Sequence, residues 1–102
     1  MEAKEILDTS IAIGRKEGAI SIFTIIEHPP SGRKNFEIII PEGMDYTKAI
    51  EIAWELREKG TPGGAIDILI AAMCLNRKCA VVTKDKDFED IQAVYPELEI
   101  KS

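Results

Sequence analysis

The chain has 102 residues, 45% hydrophobic and 30% charged, which suits one soluble domain with a real core and excludes a disordered or fibrous chain. Its formal net charge of −5 and pI near 4.9 argue against a general nucleic-acid-binding module, whose affinity rests on excess Lys and Arg. The longest apolar run, Ile68–Leu75, is too short to cross a bilayer, and the opening residues lack the basic-then-apolar order of a signal peptide, so the chain reads as cytoplasmic.

Residues 5–9 predict a short first strand. Ser10 is a candidate cap for a brief helix running to Gly18, a common helix stop. Ala19–Ile26 is β-branched and aromatic and predicts a central strand, broken by the loop His28-Pro29-Pro30-Ser31-Gly32. Phe36–Ile40 predicts a third strand, ended by Pro41. Asp45 is a good N-cap for a helix over Tyr46–Lys59, which Gly60 terminates. Its expected apolar stripe is Tyr46, Ala49, Ile50, Ala53 and Leu56, with Ile52 and Trp54 beside it. Thr61-Pro62 opens a second helix reaching Asn76. That helix is apolar on nearly every side except at Asp67, and is therefore expected to be buried. Ala80–Thr83 predicts a fourth strand, Asp87–Val94 a short helix and Leu98–Ile100 an edge strand. Strands alternating with helices at these lengths predict a single domain over 1–102. Its fold is a three-layer α/β/α sandwich around a mainly parallel sheet of four to five strands.

The acids carry the functional signal. Asp8 follows Ile6-Leu7, Glu27 follows Ile20–Ile26, Asp85 follows the Ala80–Thr83 run, and Asp67 is the only charge between Gly60 and Arg77. Each also has an ordinary structural reading: Asp8 and Asp85 as turn residues, Glu27 as surface, Asp67 as an anion favoured by a helix dipole, Asp87 as a helix cap. Together they are harder to assign to structure alone. Acids at the ends of buried strands collect at one edge of a sheet, where open α/β folds place ligands. Crowded carboxylates repel unless a cation joins them, and hard oxygen ligands suit Mg²⁺ or Mn²⁺. One or two such ions can polarise a phosphoryl group and activate a water, which points to phosphodiester hydrolysis. The bases come in pairs, Arg15-Lys16, Arg33-Lys34, Arg77-Lys78 and Lys84 with Lys86. Arg15, Arg33, Lys84 and Lys86 are candidates for steering an RNA backbone.

At these residues the chain resembles a known family. Ile6-Leu7-Asp8-Thr9-Ser10, Ile22-Phe23-Thr24-Ile25-Ile26-Glu27, Asp67-Ile68-Leu69-Ile70-Ala71-Ala72 and Val82-Thr83-Lys84-Asp85-Lys86-Asp87-Phe88 resemble, in order, the signature segments of PIN domains, over residues 5–92. The subgroup they look most like is the VapC-type toxin ribonucleases. The resemblance implies that Asp8, Glu27, Asp67 and Asp85 bind Mg²⁺ or Mn²⁺ and cut RNA, with Asp87 as a further acidic ligand. It implies that Thr9 or Ser10, and Thr83, orient the first and last acids. It also implies a homodimer and an antitoxin partner whose tail enters the acidic groove. Between Asp8 and Glu27 such domains usually carry two helices, whereas this chain has only Thr9–Gly18 available.

Other residues read more plainly. His28 is the only histidine, which leaves no Ser–His–Asp or Cys–His arrangement, and a loop histidine before Pro-Pro is ordinarily surface. Tyr46 and Trp54 are expected as core or dimer contacts. Gly63-Gly64 lacks the Lys-Ser/Thr of a phosphate loop. Cys74 and Cys79 have no further thiol or imidazole at metal-ligand spacing and are expected free and buried. Two rival readings remain: a non-catalytic PIN-like module acting through dimerisation or partner binding, and a receiver-like phosphoacceptor, which lacks the expected Lys.

Overall fold

The computed structural model describes residues 4–102. Five strands form one fully parallel sheet: β1 (Glu5–Leu7), β2 (Glu17–Ser21), β3 (Asn35–Ile39), β4 (Ala80–Val82) and β5 (Ile100–Lys101), in spatial order β3-β2-β1-β4-β5. Five helices connect them: α1 (Thr9–Ala12), α2 (Ile22–Glu27), α3 (Gly43–Glu58), α4 (Ala65–Arg77) and α5 (Asp87–Val94), and Pro29–Arg33 forms a 3₁₀ turn. The fold is the expected three-layer α/β sandwich.

Register explains the layers. Ile6, Val81 and Ile100 lie in one row across the sheet and point to one face, where they join Ile52, Leu56, Ile70, Met73, Phe88 and Ile91 from α3, α4 and α5. The next row, Leu7, Ile20 and Val82, points to the other face. There it meets Ile11 and Ala12 of α1 and the half-buried Ile25 of α2. Successive residues of a strand face opposite ways, so short apolar strands serve both cores. The chain winds outward from β1 to β3, then crosses to β4 on the other side of β1. The switch point lies between β1 and β4, where the Asp8 amide donates to the Val82 carbonyl at 2.9 Å.

Several boundaries differ from the sequence reading. The expected strand Ala19–Ile26 is β2 only as far as Ser21; Ile22–Glu27 is helical. Ser21 pairs with Ile39, the last residue of β3, so a longer β2 would run past the sheet without a partner. Tertiary context therefore overrides the β-branched composition. Gly18 does not stop α1, which ends at Ala12. It lies within β2 at φ +135°, where a Cβ would meet Leu7 Cδ1 at 2.9 Å, so only glycine fits. The helix expected from Tyr46 starts at Gly43 with Glu42 as its cap. The helix expected from Thr61-Pro62 starts at Ala65, and the final strand is shifted to Ile100–Lys101.

The buried face of α3 also differs from the predicted stripe. Leu56 of the stripe and Ile52 beside it are buried, while Tyr46, Ile50 and Trp54 are 48%, 62% and 63% exposed. Asp45 fixes this rotation. It is fully buried, accepts a 2.7 Å bond from the Glu42 amide, and binds Arg77 of α4 through two bonds of 2.8 and 2.9 Å. Asn76 adds a bond of 2.9 Å. Burial alone would raise the Asp45 carboxyl; Arg77, the Glu42 amide and Asn76 outweigh it and hold the group below its ordinary 3.8.

Removing one member of a buried pair strands the other. Asp45→Ala is expected to cost about 3 kcal/mol in urea unfolding near neutral pH. Because the folded pKa is depressed, the wild-type advantage exists above pH 3.8 and fades as pH falls through the folded value. An equal loss at all pH values would show that the charge plays no part.

Candidate metal centre

The C-terminal ends of β1 and β4 meet at the switch point, and the acids arrive there from five local structures. Asp8 follows β1 and sits at the start of α1. Asp67 is in the first turn of α4, which points its N-terminus at the same edge. Asp85 lies in the turn after β4, Asp87 is the first residue of α5, and Glu27 is the last residue of α2. Asp67, Asp85 and Asp87 each present a carboxylate oxygen within 4.8 Å of the others. Asp8 and Glu27 lie outside that spacing but close enough to act on Asp67.

Hydroxyls and amides hold the acids. Thr83 donates to Asp8 Oδ2 at 2.8 Å and accepts the Asp85 amide at 2.9 Å, so one side chain couples the ends of β1 and β4. Ser10 adds a longer bond of 3.3 Å to the same Asp8 oxygen. The Asp87 amide donates to Asp85 Oδ1 at 2.9 Å. Thr9 donates to Glu27 Oε1 at 2.6 Å and contacts Thr24 Oγ1 at 3.1 Å. Thr9 has a single proton, already given to Glu27, so Thr24 is the donor in that contact.

The electrostatics register the crowding. The Asp67 carboxyl is pushed up from 3.8 to about 6, first by burial and then by the negative charges of Asp8, Asp85, Asp87 and Glu27, in that order. None of the ion pairs among the described residues involves these acids. Oxygen-only donors, mutual repulsion and no resident base fit a hard divalent cation such as Mg²⁺ or Mn²⁺. Asp67, Asp85 and Asp87 are placed to hold it, and Asp8 is held beside them.

Not every candidate is brought to this edge. Lys84 and Lys86 flank Asp85 and are exposed there. Arg15 and Arg33 lie just before β2 and β3, at the opposite, N-terminal end of the parallel strands. Lys34 is tied there by 3.0 Å bonds to the carbonyls of Ile13 and Arg15. His28 is bonded to Ser31 Oγ at 3.0 Å within the 3₁₀ turn. Thr24 escaped the sequence reading although a signal existed. Ser21, Thr24 and Glu27 recur every three residues in an apolar segment, a helical spacing that places Thr24 and Glu27 on one face.

The model of the PIN domain family matches residues 33–94. The chain belongs to the PIN domain family. The matched part of the PIN domain contains Asp67, Asp85 and Asp87 but stops short of Asp8 and Glu27, consistent with the single brief helix between β1 and β2. Solved structures match almost the whole PIN domain. VapBC from Salmonella typhimurium bound to DNA gives a TM-score of 0.76 at 24% identity, covering 98% of this chain and 98% of that one. VapBC2 from Rickettsia felis, bound to a DNA fragment from their promoter, gives 0.74 at 21%, covering 95% and 96%. VapBC-1 from nontypeable Haemophilus influenzae gives 0.73 at 19%, covering 96% of each. At such identities the likeness establishes the fold. No curated protein sequence gives a significant match. Among the described residues, no helix is long and apolar enough to cross a membrane.

A raised folded pKa has a defined consequence. Between 3.8 and about 6 the folded chain keeps a proton on Asp67 that the unfolded chain has lost, so the stability contribution of Asp67 falls as pH rises through that window. In chelator, Asp67→Asn is expected to raise the melting temperature at about pH 8 and to change it little at about pH 4. A pH-independent difference would show that the carboxylates do not crowd Asp67.

Proposed function

We propose that this PIN domain is a Mg²⁺- or Mn²⁺-dependent endoribonuclease that hydrolyses RNA phosphodiester bonds at its acidic edge, as the toxin of a toxin–antitoxin pair. The observation that carries the reading is the convergence on Asp67 of four other carboxylates, none of which forms an ion pair among the described residues. Family membership supports the nuclease class, and the likeness to VapBC structures motivates the toxin role and an antitoxin partner. Asp67, Asp85 and Asp87 would hold the cation, with Asp8 and Glu27 completing the acidic wall. When bound, the cation supplies counter-charge and Lewis acidity for phosphodiester hydrolysis.

The rest of the chemistry belongs to the chain's own residues. Thr83 keeps Asp8 and the Asp85 turn in register, and Ser10 adds a second donor to Asp8. Thr9, backed by Thr24, fixes Glu27. Asp67 would have to give up the proton it holds below about pH 6 to ligate a cation, so affinity would rise with pH through that value. Lys84 and Lys86 meet the RNA backbone where it approaches Asp85.

Cleavage of single-stranded RNA with and without Mn²⁺ tests this directly. Asp67→Asn and Asp8→Asn are expected to lower the rate by at least roughly 100-fold. Thr83→Val is expected to raise the Mn²⁺ needed for half-maximal rate by about 10-fold or more. Wild-type activity in either Asn variant would remove the mechanism.

A second copy of the chain is assigned to the apolar face of α3. Tyr46 and Trp54 were expected as core or dimer contacts and Ile50 as part of the buried stripe, and all three lie outside the core. Beside Ile50 and Trp54 lies a cavity of about 410 Å³, lined also by Ala53, Pro62, Gly63 and Ile68. Contiguous exposed apolar surface of this kind marks a contact site. Light scattering is expected to give a dimer for the wild type and a folded monomer for Trp54→Glu. A wild-type monomer at tens of micromolar would overturn the assignment.

A further inference from the structure

Away from the acidic edge, the last turn of α4 returns into β4 through a tight cap. Lys78 adopts the left-handed conformation at φ 54°. Its amide donates to the Leu75 carbonyl at 3.3 Å, while the Cys79 amide closes onto the Cys74 carbonyl at 3.0 Å. These two bonds define a Schellman motif, in which the residue two past the helix end lies against the residue three before it. An apolar contact ordinarily fills those two positions. Here both are cysteines, free and buried, and both line one cavity.

The backbone therefore supplies what a disulfide demands, two side chains brought together by a rigid local turn. We propose that Cys74 and Cys79 are a modification site, forming a reversible intrachain disulfide by exchange with a low-molecular-weight disulfide.

The two sulfurs have different roles. Cys74 is fully buried, and the neighbouring Cys79 thiol and burial push its own thiol well up. Cys79 is 5% exposed, and the neighbouring Cys74 thiol and the positive charge of Arg77 lower its thiol against the opposing effect of burial. The more acidic thiol is the better attacker at neutral pH. A cavity of about 410 Å³ beside the pair, lined also by Leu75, Lys78, Glu97 and Glu99, gives a small molecule access.

Exchange proceeds in two balanced steps. The Cys79 thiolate attacks one sulfur of the reagent disulfide, forming a mixed disulfide and expelling one thiolate, which takes up the proton Cys79 released. Cys74 then loses its proton and attacks Cys79 Sγ, closing the intrachain bond and expelling the second thiolate, which is protonated in turn. The protein dithiol is oxidised by two electrons and the reagent is reduced to two thiols.

The test uses the full chain in buffers of varied oxidised-to-reduced glutathione ratio, acid quench, alkylation under denaturing conditions and intact mass. Wild type is expected to lose both alkylatable thiols together with two hydrogens, to stay free of intermolecular crosslinks and to melt several degrees higher. Cys74→Ser is expected to accumulate a glutathione adduct on Cys79, since no second thiol resolves it. Cys79→Ser is expected to remain a free thiol. Two alkylatable thiols persisting in fully oxidised glutathione, or oxidation only between chains, would overturn the proposal. Equal adduct formation in the two variants would overturn the role given to Cys79.

Discussion

The hydroxyl of Thr83 joins what the fold must keep together. It donates to Asp8 at the end of β1 and receives the amide of Asp85 beyond β4, across the seam where the winding of the sheet reverses. Carboxylates at such a seam repel, and burial strengthens the repulsion. Thr83, Ser10 and Thr9 offset part of it through neutral donors, which hold the acids without cancelling their charge. A lysine or arginine would have relieved the crowding more completely, but it would also have occupied the space and satisfied the oxygens. The site is thus kept under electrostatic tension by the residue types that surround it.

The second constraint lies at the other end of α4. Asp45 and Arg77 tie the start of α3 to the end of α4 through paired bonds, and the cap through Lys78 then feeds the chain into β4. Because α4 is buried along most of its length, anchoring its C-terminus also fixes its N-terminus, where Asp67 projects. The polar tie and the apolar core act on one rigid rod. A shift at either end would move Asp67 relative to Asp85 and Asp87.

Much of this was legible in the residues. Alternating short apolar strands and helices specify a parallel sandwich, and the limits of α5 are those read from Asp87–Val94. The acids could be picked out because each interrupts or ends an apolar stretch. What could not be read locally depended on partners far along the chain. Ile22–Glu27 has strand composition but becomes a helix because β3 ends opposite Ser21. The stripe on α3 was misassigned because the hydrophobicity of Tyr46, Ile50 and Trp54 does not reveal that the core has no room for them; the turn of that helix is set by Asp45 meeting Arg77 from thirty-two positions away. Nor does the spacing of Arg15 and Arg33 reveal which end of a strand they adjoin until the strand is placed.

That placement has a consequence for the molecule as a whole. Lys4, Arg15-Lys16, Arg33-Lys34 and Arg77-Lys78 precede β1, β2, β3 and β4 in turn, while Asp8, Glu27, Asp67, Asp85 and Asp87 gather where parallel strands finish. Since every strand runs the same way, these basic pairs and the site acids lie at opposite ends of the sheet. At these positions, which sign of charge a small ion meets at each end of the sheet is decided by the common direction of its strands.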